Sequence, residues 1–118
     1  ERSSYLQMDG QEVFKFALKT VPECIEEVLV KGKTEKEKVK YYVLHQANSR
    51  IISGVAKKLG EKEEKFPRNI EKYGNTSAAS IPILLDEMNK EGKLEKGDIL
   101  VLTGFGAGLT WGSTLLKW

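Results

Sequence analysis

The chain has 118 residues, of which 40% are hydrophobic and 31% charged, and its formal net charge is +2 at pH 7. This length suits one domain that buries roughly two-thirds of its unfolded surface. No stretch approaches the roughly 18 apolar residues of a membrane helix, and the first ten residues contain no apolar core of a signal peptide. The single cysteine and single histidine exclude an internal disulfide and the common zinc sites. We therefore expect a cytoplasmic protein with no metal, no membrane contact and no nucleic-acid partner.

The first predicted element is a long amphipathic helix in "QEVFKFALKTVPECIEEVLVKG", residues 11–32. Its apolar residues recur three and four positions apart, which is the spacing of a helix with one buried face. Pro22 should bend this helix. Cys24 lies next to the apolar stripe without the small neighbours of a reactive turn, and we interpret it as a packing residue. The stripe consists of Phe14, Ala17, Leu18, Val21, Ile25, Val28 and Leu29.

A short β-prone run, "YYVLH", follows a mixed-charge connection and predicts a buried strand with His45 at its carboxyl end. The next helix, residues 48–59, should end at Gly60, since glycine commonly follows a helix C-terminus. Its buried stripe is Ile51, Ile52, Val55, Ala56 and Leu59. At 100° per residue, Arg50 and Lys57 point away from that stripe, and only Ser53 and Gly54 lie between them. We expect a low, smooth, basic face there, and a merely solvated helix surface is the alternative.

The remaining segments predict a third helix and two strands. Thr76 or Ser77 can cap the helix that carries Ala78, Ile81, Leu84, Leu85 and Met88, and Pro82 falls near its first turn. "DILVLTG" is typical of a strand buried on both faces, and "LTWGSTLLKW" is a final strand. Helices that alternate with buried strands predict an α/β fold, a mixed sheet layered with helices and ending in a hairpin.

The turn "GFGAG" between the last two strands has glycines at 104, 106 and 108. This spacing weakly resembles a dinucleotide-binding turn, but it opens no helix. A tight hairpin with Phe105 at its tip is the simpler interpretation.

Two polar residues are placed to share one site. His45 ends a strand, and Asn75 in "YGNTSAAS" precedes a run of small residues at the start of a helix, and such positions gather around ligand crevices in α/β sheets. Neutral histidine and asparagine can each donate an N–H, and two donors aimed at one point form an oxyanion hole for an enolate or a tetrahedral alkoxide. The alternative is a structural histidine and ordinary cap chemistry at Gly74–Asn75.

Three longer motifs carry a family resemblance: "HQANSRIISGVAKKLG", "YGNTSAASIPILLDE" and "GFGAGLTWGS". Together they resemble the C-terminal half of the 3-ketoacyl-acyl carrier protein synthase III family, the condensing enzymes that initiate type II fatty acid synthesis. The resemblance runs from "YLQMDGQEVFKFAL" to the last residue. It implies the C-terminal half of a thiolase-like fold over residues 1–118, in a homodimer, with no cofactor beyond the coenzyme A thioester and malonyl-acyl carrier protein substrates.

The resemblance also implies site residues. His45 and Asn75 match the second and third members of a catalytic Cys-His-Asn set, whose cysteine belongs to an N-terminal half that this chain lacks. Residues that match a pantetheine channel, where Phe105 would help to desolvate the malonyl carboxylate, are Met8, Gly10, Ala47, Asn48 and Phe105. Residues that match the docking positions for the acidic acyl carrier protein are Lys15, Gln46, Ala47, Asn48, Ser49, Arg50, Lys57 and Lys58.

The opening "ERSSYL" has no methionine and leads almost at once into a helix. We therefore expect a C-terminal fragment of a longer enzyme, and we expect it to be inactive alone. Two other functions remain open: a starter-unit synthase of a polyketide or related secondary pathway, and a noncatalytic remnant that binds a carrier or packs in a dimer. Retention of both His45 and Asn75 argues against the remnant.

Overall fold

The computed structural model describes residues 10–45, 49–68, 80–106 and 110–118. Within these ranges the structure contains the three helices and three strands that the periodicity predicts, in the predicted order. The elements are α1 (Gly10–Lys31), a 3₁₀ turn (Lys36–Lys38), β1 (Val39–Leu44), α2 (Ser49–Leu59), a second 3₁₀ turn (Glu63–Lys65), α3 (Ser80–Lys90), β2 (Ile99–Gly106) and β3 (Thr110–Lys117).

The three strands form one mixed sheet in the order β1-β2-β3. β1 pairs parallel to β2, and β2 pairs antiparallel to β3, so the predicted α/β fold with a closing hairpin is confirmed. β2 is longer than predicted and continues to Gly106. Phe105 pairs with Trp111 in the ladder, and it therefore lies in the strand instead of at the tip of the turn.

The sheet is covered by helices on both faces. Successive strand residues point to opposite faces, and the chain uses both faces for burial: Tyr42 and Val101 join the core under α1 and α2, whereas Val43 and Leu100 join the core under α3. All four side chains are fully buried. This double burial is the reason that residues 41–44 of β1 and 99–102 of β2 are apolar runs with no polar alternation.

Each helix ends in the same pair of backbone hydrogen bonds. After α2, the N–H of Glu61 donates to Ala56 O at 3.0 Å and the N–H of Gly60 donates to Lys57 O at 3.1 Å, which is the Schellman arrangement. Gly60 has a φ of 70° and Gly92, after α3, a φ of 75°, a left-handed backbone that glycine adopts without steric penalty. After α1 the same position is Lys33, with a φ of 52°.

Two glycines let neighbouring elements approach closely. A Cβ at Gly32 would lie 2.5 Å from Leu115 Cδ2 of β3, and a Cβ at Gly54 would overlap Leu18 Cδ2 of α1. Glycine in a helix interior costs about 1 kcal/mol relative to alanine, so Gly54 is unfavourable for α2 itself. The close packing of α1 on α2 explains why a glycine stands there.

The part of the chain that the structure describes holds no helix long and apolar enough to cross a membrane.

Candidate functional site

His45 lies immediately after β1, at the carboxyl end of the parallel pair. Its backbone N–H donates to Thr103 O of β2 at 2.9 Å, which extends the β1–β2 ladder by one bond beyond Leu44. Thr103 is itself fully buried, and its Oγ1 lies 2.9 Å from Ser113 Oγ of β3. All three strands therefore contribute to the position of the His45 backbone.

The His45 imidazole is half-buried. Burial lowers its pKa below the ordinary 6.5, because desolvation disfavours the charged form. The neutral ring predominates at pH 7, and a neutral imidazole offers one N–H donor and one acceptor. This protonation state is the one that the predicted oxyanion role requires.

Several of the predicted site residues lie outside the described residues. They are Met8, Gln46, Ala47, Asn48 and Asn75. Of the other channel positions, Gly10 begins α1 and Phe105 lies in β2. The predicted pairing of His45 with Asn75 therefore stays a prediction.

The basic residues predicted on α2 are exposed, while the opposite stripe is buried. Arg50, Lys57 and Lys58 are all exposed, and Ser49 at the start of α2 is half-buried. The buried residues are the five predicted ones, Ile51, Ile52, Val55, Ala56 and Leu59. The helical-wheel argument for this element is confirmed.

The face between Arg50 and Lys57 is not the smooth track that the sequence suggested. Arg68 Nη2 donates to Ser53 Oγ at 2.8 Å, Ser53 Oγ lies 3.2 Å from Glu63 Oε1, and Arg68 forms an ion pair with Glu63. These charges come from the segment after α2, which packs beside Ser53. The expectation failed because it considered α2 alone.

α1 contributes to the same surface. The Arg50 guanidinium lies over the Phe14 ring, with Cζ 4.6 Å from the centroid, close enough for a cation–π interaction. Lys15 and Lys58 line one groove between α1 and α2, with a volume of about 380 Å³. The sequence raised Lys15 as a neighbour of this face, and the structure brings the two helices together there.

The C-terminal end of α2 is fixed by a network that reaches into the core. Tyr42 of β1 stacks on Phe66 with ring centroids 4.8 Å apart, and its Oη donates to Glu61 Oε2 at 2.6 Å. Lys65 Nζ binds the same carboxylate oxygen at 3.3 Å, and Lys36 Nζ donates to Leu59 O at 2.7 Å. Burial and the Glu61 hydrogen bond raise the pKa of the Tyr42 hydroxyl, so it remains a donor. This network sets the orientation in which α2 presents its basic face.

Cys24 lies in the interior of α1 and is half-buried. Burial, followed by the charges of Glu27 and Glu23, raises the pKa of its thiol. A reactive cysteine needs the opposite shift, since the thiolate is the nucleophile. The geometry supports the interpretation of Cys24 as a packing residue.

Within the described ranges, no three His, Cys, Asp or Glu side chains are grouped so that they could hold a metal ion. Three residues near the site were missed from the sequence: Phe14 as the ring beneath Arg50, Lys19 in the groove, and Arg68 beside Ser53. Lys19 could have been found, because it lies one helical turn after Lys15. Arg68 gave no local signal, since its partners lie in α2 and a 3₁₀ turn.

Comparison with known proteins decides the family. The profile described as 3-oxoacyl-acyl-carrier-protein synthase III, C terminal, matches residues 29–118. The chain belongs to the synthase III family. A beta-ketoacyl-acyl-carrier-protein synthase III from Clostridium tetani is 54% identical over 116 residues, which is 98% of this chain.

The fold also agrees with that of solved synthase III structures. The 3-oxoacyl-acyl-carrier-protein synthase III from Aquifex aeolicus superposes with a TM-score of 0.91 at 50% identity, over 95% of this chain. OleA from Xanthomonas campestris has a TM-score of 0.85 at 24% identity over 92% of this chain and 33% of its own, which shows a shared fold alone. The chain spans 35% of the Clostridium tetani synthase III and 36% of the Aquifex aeolicus chain, or about a third of each.

Proposed function

We propose that this chain is the C-terminal catalytic part of a condensing enzyme that initiates type II fatty acid synthesis. The observation that carries the proposal is the match to named synthase III proteins along nearly the whole chain. The proposed reaction joins an acyl-coenzyme A primer to malonyl-acyl carrier protein with loss of carbon dioxide. The proposed partners are acyl carrier protein, acyl-coenzyme A and the N-terminal half of the same enzyme, in a cytoplasmic homodimer.

The reaction has two stages. The primer acyl group first passes from the coenzyme A sulfur to a cysteine thiolate of the N-terminal half, and coenzyme A leaves as the thiolate. The bond that joins the malonyl carboxylate to the neighbouring carbon then breaks. Carbon dioxide leaves, and the electron pair of the broken bond forms an enolate. The enolate carbon attacks the acyl-cysteine carbonyl, a new carbon–carbon bond forms, and the cysteine leaves as thiolate.

His45 and Asn75 would act in the second stage. Negative charge develops on the malonyl thioester oxygen as carbon dioxide departs, and two fixed N–H donors stabilise that charge as it forms. A neutral His45, anchored through its backbone to Thr103, suits this role because it needs no reorganisation during the reaction. Cys24 takes no part, because its raised pKa and helical position do not favour a thiolate.

The donor roles can be tested in the complete enzyme. His45→Ala or Asn75→Ala should slow malonyl decarboxylation by about 10²-fold or more, the scale for loss of one oxyanion donor, while acyl transfer to the cysteine is less affected. Asn89→Ala is the matched control, because Asn89 is an exposed asparagine on α3. Decarboxylation at the wild-type rate in the His45 and Asn75 variants would refute the assignment.

The basic face of α2 is proposed to bind the carrier protein. Arg50→Glu, alone or with Lys57→Glu, should raise KM for malonyl-acyl carrier protein, and the wild-type interaction should weaken with added salt because exposed charges are screened. The acyl-coenzyme A half-reaction serves as the internal comparison. Equal effects on both half-reactions, or a carrier affinity indifferent to salt, would show that this face is only solvated.

A further inference from the structure

Thr103 of β2 links the other two strands at the level of His45. It pairs with Leu44 of β1 and with Ser113 of β3. Its backbone O accepts the N–H of His45 at 2.9 Å, and its side-chain Oγ1 forms a hydrogen bond of 2.9 Å with Ser113 Oγ. The same residue therefore holds the His45 backbone with its carbonyl and β3 with its hydroxyl.

A hydroxyl is not needed to fill this position of the sheet. Ile99 and Val101 of β2 pack in the core under α1 and α2, and side chains two apart in a strand share a face. Thr103 continues that face and is 0% exposed, so valine would fill the same space without a polar group. A buried hydroxyl needs a hydrogen bond to offset its lost hydration, and replacing both bonded partners by apolar groups can leave stability nearly unchanged. Net stability therefore does not explain the pair.

The direction of the hydrogen bond gives the pair a role that valine cannot fill. Apolar burial is non-directional, whereas a hydrogen bond restricts both distance and angle, and a buried, satisfied polar pair makes its surroundings more rigid. The group restricted here is Thr103, whose carbonyl is the acceptor for His45. Because the Thr103 side chain is fully buried, it acts on a reaction only through the groups that it holds.

We propose that Thr103 is a positioning residue for His45. Its hydrogen bond to Ser113 fixes the Thr103 carbonyl, and that carbonyl fixes the backbone from which the imidazole is aimed. The inference rests on the proposed function, because that function makes His45 an N–H donor to the malonyl thioester oxygen. Such a donor must lie about 3 Å from the oxygen as charge develops, so a small displacement of His45 weakens the donor without removing it.

Thr103→Val in the complete enzyme tests the proposal, because it removes the hydroxyl and keeps the shape of the side chain. A misplacement of about 1 Å can cost roughly 10²-fold in rate, and a smaller displacement is expected here, so kcat for malonyl decarboxylation should fall by about three- to tenfold. KM for malonyl-acyl carrier protein and the rate of acyl transfer to the cysteine should stay within about twofold of wild type, because the lost interaction belongs to the decarboxylation transition state.

Thr103→Ser separates this role from a merely structural one. It deletes a buried methyl group and should be less stable than Thr103→Val, yet it keeps the hydroxyl and should retain the wild-type kcat. Ser113→Ala removes the other hydroxyl and should lower kcat as Thr103→Val does, and the double variant should be no slower than either, since all three lack the same bond. Thr114→Val is the matched control, because Thr114 is an exposed threonine of β3, and its kcat should equal that of wild type.

The possible outcomes distinguish the positioning role from the proposed function. If Thr103→Val and Ser113→Ala kept the wild-type kcat while His45→Ala lost decarboxylation, the positioning proposal would fail and the proposed function would stand. Wild-type decarboxylation in His45→Ala would refute both. Equal losses in the two half-reactions, or a kcat of Thr103→Ser as low as that of Thr103→Val, would show that Thr103 serves only the fold. Should Thr103→Val not fold, Ser113→Ala decides in its place, because Ser113 is only half-buried.

Discussion

The polarity of the chain changes abruptly at the end of β1. Leu44 is 2% exposed, and the next residue, His45, is half-buried with its backbone bound to Thr103. A histidine at the position of Tyr42, Val43 or Leu44 would be buried, and one in a free loop would keep its ordinary pKa. At this position the ring is desolvated enough to stay neutral and open enough to meet a substrate.

The lowered pKa of His45 predicts a pH dependence with a definite sign. Because burial moves the folded-state pKa below 6.5, more than half of the imidazole should still be neutral at pH 6.5, and malonyl decarboxylation should fall to half its maximal rate only below that pH. The same shift contributes stability that is fully present above pH 6.5 and is lost as pH falls through the lower, folded-state pKa.

A pH–rate profile of the complete enzyme from about pH 5 to pH 8, the range in which histidine charge changes, tests this expectation. His45→Gln is the control variant, because its residual rate should show no histidine inflection. A wild-type rate already at half its maximum at or above pH 6.5 would contradict the assignment.

The residue-scale features divide clearly into predictable and unpredictable ones. His45 could be found from sequence because a β-prone run ends there. The stacking of Arg50 on Phe14 could not, because it depends on how α1 crosses α2. Arg68 was hidden for a similar reason: the segment "EKEEKFPRN" has no periodicity, and its contact with Ser53 exists only after that segment folds back on α2.

Among the elements, the helices were predicted well, and the ends of the strands were predicted less well. The apolar stripes of α1 and α2 follow the helical period and were confirmed. β1 begins at Val39, two residues earlier than predicted. The prediction began at Tyr41 because Lys40 interrupts the apolar run in the sequence. In the structure the Lys40 ammonium group lies 3.0 Å from the Asp98 carboxylate. The two 3₁₀ turns lie in charged segments where hydrophobic pattern carries no information.

The shared helix ending gives a prediction about Lys33. A non-glycine residue in the left-handed region is disfavoured by roughly 1–2 kcal/mol, so Lys33→Gly should raise the free energy of unfolding by roughly 0.5–1 kcal/mol after allowance for the entropy of glycine in the unfolded chain. Gly60→Lys, which places the same side chain in the corresponding position after α2, should lower it by about 1 kcal/mol. Chemical denaturation measures both changes, and equal stabilities for the two variants and wild type would refute the steric argument.

The contact between α1 and β3 gives a second element-scale prediction. Gly32→Ala should destabilise the protein by about 1–3 kcal/mol through overpacking, because the new methyl group would meet Leu115 Cδ2 and lie 3.2 Å from Val28 O. Gly112→Ala is the control, since a Cβ there meets nothing within 4 Å. In a double-mutant cycle, Leu115→Ala should remove most of the Gly32→Ala effect, and full additivity would show that the two residues do not compete for space.

At the scale of the whole molecule, the described residues form two hydrophobic core clusters. Of the two proposed catalytic donors they include only His45. Val30 of α1 is 76% exposed and Trp118 is 37% exposed. Large exposed apolar side chains are compatible with contact to further protein, and the synthase III relatives are about three times as long as this chain. The sequence predicted the mixed sheet and hairpin because burial on both faces leaves a readable pattern, whereas the assembly of a complete site leaves none.

This gives a prediction for the chain taken alone. It should form no ketoacyl product from acetyl-coenzyme A and malonyl-acyl carrier protein, because the catalytic cysteine of the proposed mechanism lies in the N-terminal half. Product formation by the isolated chain that survives Cys24→Ser would show a different nucleophile, and product formation abolished by Cys24→Ser would show that Cys24 is not a packing residue.

The strand order also determines when each part of the sheet can form. Val39 of β1 pairs with Ile99, sixty positions along the chain, whereas Thr103 pairs with Ser113 only ten positions away. Closing the longer loop costs roughly 1.5 kcal/mol more in chain entropy, so the hairpin should assemble first and β1 should dock onto it. In pulse-labelling hydrogen exchange, the His45 amide, whose acceptor is Thr103 O, should gain protection after the amides that link β2 and β3. During synthesis β1 therefore has no strand partner until residues 99–106 have been made.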